Sequence, residues 1–157
     1  MNYIMKLLLF FVTFIALSQG CSLHKSEVHE LDYQAQAGNI RAQSELGDLY
    51  LFGEQDNEVD YKKAFYWYKK AADQGDAKSQ YNLAIMYLNG YGIEMNKSKA
   101  VEYYRKSAEQ GDSDSQLQLG IRYLNGEGVS QDLKLAKYWL NLSMKNGNVE
   151  AEQYLKK

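Results

Sequence analysis

The sequence predicts an all-α fold, a stack of antiparallel helix pairs with a period of 36–37 residues. Three observations carry this. The chain repeats itself at a fixed interval. Each interval holds two stretches with helical spacing. The breaks between them are marked by glycine alone, since the 157 residues include 12 Gly and no Pro. Self-similarity at such a period is the mark of a helical-repeat solenoid, in which each repeat covers the apolar face of its neighbour.

The repeat is legible position by position. Gly38, Gly75, Gly111 and Gly147 recur at intervals of 37, 36 and 36, as do Leu46, Leu83, Leu119 and Leu155. Tyr50, Tyr87 and Tyr123 keep the spacing, and so do Gly53, Gly90 and Gly126. Trp67, Tyr103 and Trp139 are 36 apart, as are Ala64, Ala100 and Ala136. About three full repeats fit, and residues 148–157 are left as one short C-terminal capping helix.

In the first helix of each pair, Ser79, Leu83, Ala84, Tyr87 and Leu88 make one amphipathic stripe, broken at Gly90 and Gly92. In the second, Ala100, Tyr103, Tyr104, Ser107 and Ala108 do the same, and Gly111 ends it where a left-handed C-cap favours glycine. Asn39, Asp76, Asp112 and Asn148 open the first helices, and Asp60, Asn96 and Asp132 the second. Each has a side chain that can satisfy orphan backbone N–H groups. Gly47, Ala84 and Gly120 sit mid-helix, where Gly costs about 1 kcal/mol against Ala. The repetition of that cost predicts close helix–helix contact, with Trp67, Tyr103 and Trp139 filling the space.

Before the repeats lies a different kind of segment. Lys6 precedes an apolar run, Leu7 to Leu17, of about 11 residues, too short to span ~30 Å of hydrocarbon. It fits the core of a secretory signal, so residues 1–20 read as a signal peptide. Residues 21–30, with His24 and His29, read as a tether, and 31–157 as the repeat domain. The stretch Leu17-Ser18-Gln19-Gly20-Cys21 resembles a bacterial lipoprotein box. That resemblance implies that Cys21, the single cysteine, carries the lipid and anchors the protein to a membrane. Ser22 in place of Asp favours the outer membrane, with the protein facing the periplasm. Ordinary cleavage, giving a soluble periplasmic or secreted protein, is the alternative.

Residues 108–136 read AEQGDSDSQLQLGIRYLNGEGVSQDLKLA, and residues 72–100 and 35–64 follow the same text. This pattern resembles the Sel1-like repeat, a relative of the tetratricopeptide repeat, over roughly residues 31–157. The resemblance implies a right-handed solenoid used as a scaffold. Two departures stand out: Ser130 where the family often has Pro, and Gln55 where the first repeat lacks its second turn glycine.

Little in the chain suggests catalysis or a metal, and no cofactor is implied. Both histidines fall in the tether, and no His-Glu-x-x-His or Gly-x-Ser-x-Gly run exists. Ser22-Leu23-His24-Lys25 matches Ser-x-x-Lys only formally, and a β-lactam-binding or hydrolysing enzyme is a remote alternative. Asp56, Glu58 and Asp60 alternate like a calcium loop, yet Tyr61 and Trp67 stand where Gly and Glu are needed. A net charge of −2 argues against nucleic acid.

The remaining reading is a protein-binding module. By analogy with tetratricopeptide repeats, the first helices line the concave face. Three stripes on them, Glu45, Leu49 and Phe52, then Asn82, Met86 and Asn89, then Gln118, Arg122 and Asn125, are the candidate partner contacts. Amides supply hydrogen bonds there, and apolar groups and Arg supply anchors. The acidic loop Glu54–Asp60 is a second candidate. Small exported Sel1-like lipoproteins include immunity proteins that block phospholipase-type toxins, so resemblance adds a toxin as one kind of partner.

Overall fold

The computed structural model describes residues 26–53 and 58–156. Helix α1 runs through 26–36. It is followed by α2 (Ile40–Phe52), α3 (Tyr61–Asp73), α4 (Ala77–Asn89), α5 (Lys97–Glu109), α6 (Ser113–Asn125) and α7 (Leu133–Lys145). A single 3-10 turn, Val149–Ala151, leads into the short α8 (Glu152–Leu155). No strand occurs among the described residues. The pairs α2/α3, α4/α5 and α6/α7 make the widest contacts, and α3/α4 and α5/α6 join one pair to the next. This is the expected stack of helix pairs, and the segment 148–155 caps it against α7.

The caps act as their chemistry requires. Asn39, Asp76 and Asp112 accept from the N–H of Ala42, Ser79 and Ser115 at 3.1, 2.7 and 2.7 Å. Asp60, Asn96 and Asp132 do the same for Lys63, Lys99 and Leu135 at 3.0, 2.9 and 3.0 Å. Each cap fixes where a helix starts, and so fixes the phase of its stripe.

Helix α1 begins earlier than the sequence reading placed the domain. Residues 26–30, read as tether, are helical. Val28, Leu31 and Ala35 fall at i, i+3 and i+7 and pack against Ala42, Leu46, Leu49 and Trp67. In the repeat frame α1 is a second-type helix that precedes the first full pair.

The mid-helix glycines make the close contacts expected, with different partners. A β-carbon on Gly47 would stand 2.4 Å from the Tyr68 ring, and one on Gly120 would stand 2.7 Å from Leu140 Cγ. The occupants are thus Tyr68 and Leu140, each one residue after the tryptophan that was expected. Trp67 instead joins Leu46 and Leu49, and Tyr103 stacks on Tyr87 at 5.6 Å. Gly92 has a second reason to be glycine: its φ is +69°, and a β-carbon would sit 2.4 Å from the Tyr61 carbonyl oxygen. The turn after α4 therefore lies on the start of α3.

A polar ladder joins the repeats. Gln43, Gln80 and Gln116 are buried in α2, α4 and α6. Their amides donate to the carbonyls of Ala35, Ala72 and Ala108 at 2.9, 3.2 and 3.0 Å. Gln74, Gln110 and Asn146 in turn donate to the side-chain oxygens of the same three residues at 2.7, 2.8 and 3.0 Å. Each glutamine thus ties the ends of two successive second-type helices, leaving none of its own buried amide unpaired.

Candidate functional site

Helices α2, α4 and α6 carry the three stripes of candidate partner contacts. The charge of this face is balanced, with Arg41, Lys78 and Arg122 against Glu45, Asp48 and Asp114. The candidate contacts separate into two groups. Phe52 is 63% exposed, and Asn89 and Asn125 are exposed beside the helix ends. Glu45, Asn82, Gln118 and Arg122 are half-buried.

Leu49 and Met86 do not belong to this surface. They are 5% and 0% exposed, Leu49 beside Leu46 and Trp67 and Met86 in the main core. Position i+4 of the first two stripes faces the core, which is why two apolar residues occupy it. Arg122 takes the same position in the third repeat. Its side chain is only 13% exposed; the guanidinium pairs with Glu127 and bonds Gln118 Oε1 at 3.3 Å, while its Nε is buried without a partner among the described residues.

Asp48 lies outside the three stripes but belongs to the same face. The Tyr68 hydroxyl donates to its Oδ1 at 2.7 Å, and Lys78 Nζ donates to its Oδ2 at 2.5 Å. Asp48 thus links two repeats at the edge of the face, and its side chain is 22% exposed. Burial, and then Asp48, push the Tyr68 hydroxyl far above its usual pKa, so it stays a proton donor. The signal in the sequence was weak, because Ile85 and Ile121 stand at the equivalent positions.

A cleft of about 440 Å³ opens at one end of α3, lined by Tyr50, Val59, Asp60, Tyr61, Lys63 and Gly92. Tyr61 stacks on Tyr91 at 4.7 Å beside it, and Lys63 lies over the Tyr50 ring at 4.9 Å. Residues 54–57 of the acidic loop, and Cys21 with the whole of 1–25, lie outside the described residues. Among the described residues no group of His, Cys, Asp or Glu is arranged to hold a metal ion. No helix among them is long and apolar enough to cross a membrane.

The model of the Sel1 repeat matches residues 40–76, 77–112 and 113–148, each running from the start of a first-type helix to the next cap. The chain belongs to the Sel1 repeat family. Repeats of this family generally mediate contacts between proteins. Among solved structures, a Sel1 repeat protein from Oxalobacter formigenes is 32% identical with a TM-score of 0.75, covering 83% of this chain and 97% of that one. A protective antigen of uropathogenic Escherichia coli is 36% identical, also with a TM-score of 0.75, over 77% of this chain and 26% of that one. Cysteine rich protein B of Helicobacter pylori is 25% identical, with a TM-score of 0.64. The ERAD-associated ubiquitin ligase component HRD3A of Arabidopsis thaliana is 40% identical over 62 residues. This Sel1 chain spans only 9% of that protein's length.

Proposed function

We propose that this Sel1 protein is a non-catalytic binding module that holds a protein partner against the face of α2, α4 and α6, with Cys21 as its lipid attachment point in the bacterial envelope. The observation that carries the reading is the make-up of that face. It is charge-balanced, it presents the exposed ring of Phe52, and it repeats an amide at the same two positions in the second and third layers: Asn82 and Gln118, Asn89 and Asn125. Amides in a periodic row can bind backbone groups of an extended or helical segment, and an exposed aromatic supplies an anchor.

The test is crosslinked recovery of partners from the native cells, comparing wild type with a Phe52→Ala, Asn82→Ala, Asn89→Ala and Gln118→Ala variant of unchanged melting. A protein lost with the variant and retained by a Tyr66→Ala control on α3 supports the reading. Identical recovery by all three proteins refutes it. Were the lost protein a membrane-attacking toxin, the module's role would be immunity.

A further inference from the structure

Charge is divided unequally between the two kinds of helix. In a chain of net charge −2, α3 carries four lysines and one acid, α5 three lysines and Arg105 against two acids, and α7 three lysines and none. Eleven of the 18 Lys and Arg residues thus lie on three helices, for a surplus of eight, while the charges of α2, α4 and α6 sum to zero. Five of them, Lys62, Lys97, Lys134, Lys137 and Lys145, are exposed and have neither an acidic nor an aromatic partner among the described residues.

Helix stability does not explain their placement. The first turns of α3, α5 and α7 contain no acidic residue and do contain Lys62, Lys97 and Lys134. Cations there oppose the helix macrodipole, which favours acids at that end, and the cap aspartates Asp60 and Asp132 meet that preference without needing the lysines beside them. A local rule broken in the same turn of three repeats points to a use outside the helix.

We infer that the exposed face of α3, α5 and α7 docks on an anionic phospholipid surface, so that the face of α2, α4 and α6 is presented away from the membrane. Three features favour lipid over a protein or nucleic acid. The basic groups are lysines with one exception, and lysine is a hydrated point charge suited to diffuse headgroup attraction. Lysine is depleted in protein interfaces, where arginine is enriched. Tyr66, Tyr138 and Leu133, 51%, 56% and 62% exposed, interleave with the lysines as interfacial groups do at headgroup level. Helix α1, of the same type, carries Glu27, Glu30 and Asp32 and neither Lys nor Arg within 26–36, so the docking face begins at α3.

The test reads orientation in the full chain. Cys21→Ser removes the native thiol, and a fluorophore is placed at Asn141→Cys on α7 or Asn89→Cys on α4. Each protein is added to phosphatidylcholine vesicles carrying a nitroxide lipid, with or without phosphatidylglycerol. The apolar leader is common to all samples, so only facing differs. The expected result is quenching at 141 well above that at 89, on the anionic vesicles alone. It should be lost at about 1 M salt and fall more than about tenfold with Lys62→Glu, Lys97→Glu and Lys134→Glu together. Those reversals improve the helix dipoles, so unchanged or higher melting separates lost docking from lost fold. Equal quenching at both labels, or quenching indifferent to phosphatidylglycerol, overturns the inference. So does shielding of position 141 by duplex nucleic acid or by a second copy of the chain in place of the vesicles.

Discussion

The Tyr68 ring crowds Gly47 so closely that its Cδ1 and Cε1 atoms each lie 2.4 Å from where a β-carbon would be. Tyr68 is fully buried and tied to Asp48, so the ring has no free direction in which to retreat.

Gly47→Ala should therefore destabilise the protein, although alanine is the better helix former by about 1 kcal/mol. Overpacking of this kind costs about 1–3 kcal/mol. Gly120→Ala should do the same against Leu140 and the Ala136 carbonyl, which lies 3.3 Å from the new atom. Thermal melting checks both, and a rise in Tm for either would show that the neighbouring side chain yields freely.

Met86→Ala should cost about 2–5 kcal/mol as a cavity in the core. Phe52→Ala, on the same type of helix, should stay within about 0.5 kcal/mol. Urea unfolding of the two variants distinguishes core from surface on this face. A mild Met86→Ala would return that residue to the partner-binding set.

What the sequence made plain, and what it hid, divides along physical lines. All seven expected caps bond backbone N–H groups, because capping needs only a side-chain type at one position. The period reveals which residues recur but not how each helix is rotated. Two adjacent aromatics, Trp67 and Tyr68, are only 100° apart, and the choice between them settles which one meets Gly47. Leu49 and Met86 were misplaced for the same reason. Helix α1 was overlooked although Val28, Leu31 and Ala35 carried its signal in helical spacing. Net charge hid the basic face of α3, α5 and α7, since acids in loops, in caps and on α1 cancel it in the sum.

Gln80→Met should remove two bonds of the ladder at once, those to the Ala72 carbonyl and from the Gln110 amide, which keep only their local partners, the Gly75 N–H and the Lys106 carbonyl. Each such bond contributes about 0.5–1.5 kcal/mol net. Hydrogen exchange should show faster opening at the α3–α4 junction than at the α5–α6 junction. Uniform acceleration along the chain would show that the ladder is not a local joint.

Alkaline pH should weaken the fold. Burial raises the Tyr68 and Tyr104 hydroxyls above their usual pKa, with Asp48 adding to the effect at Tyr68 and Tyr81 at Tyr104. Below about pH 10 both folded and unfolded chains keep these protons, and the stability is fully present. Above it the unfolded chain ionises while the folded one does not, so stability falls as pH rises. Urea unfolding at about pH 8 and pH 11 should show a smaller loss for Tyr68→Phe with Tyr104→Phe than for wild type. Equal losses would place the alkaline transition elsewhere.

The ladder also makes the repeats interchangeable parts. Excising residues 77–112 would bring Gln116 opposite the Ala72 carbonyl, in the place Gln80 holds now, with Asn146 still bonded to it. No new joint has to be invented for a shorter or longer array. The length of such a protein, and with it the reach of its binding face, can therefore change by whole cassettes in a single genetic step.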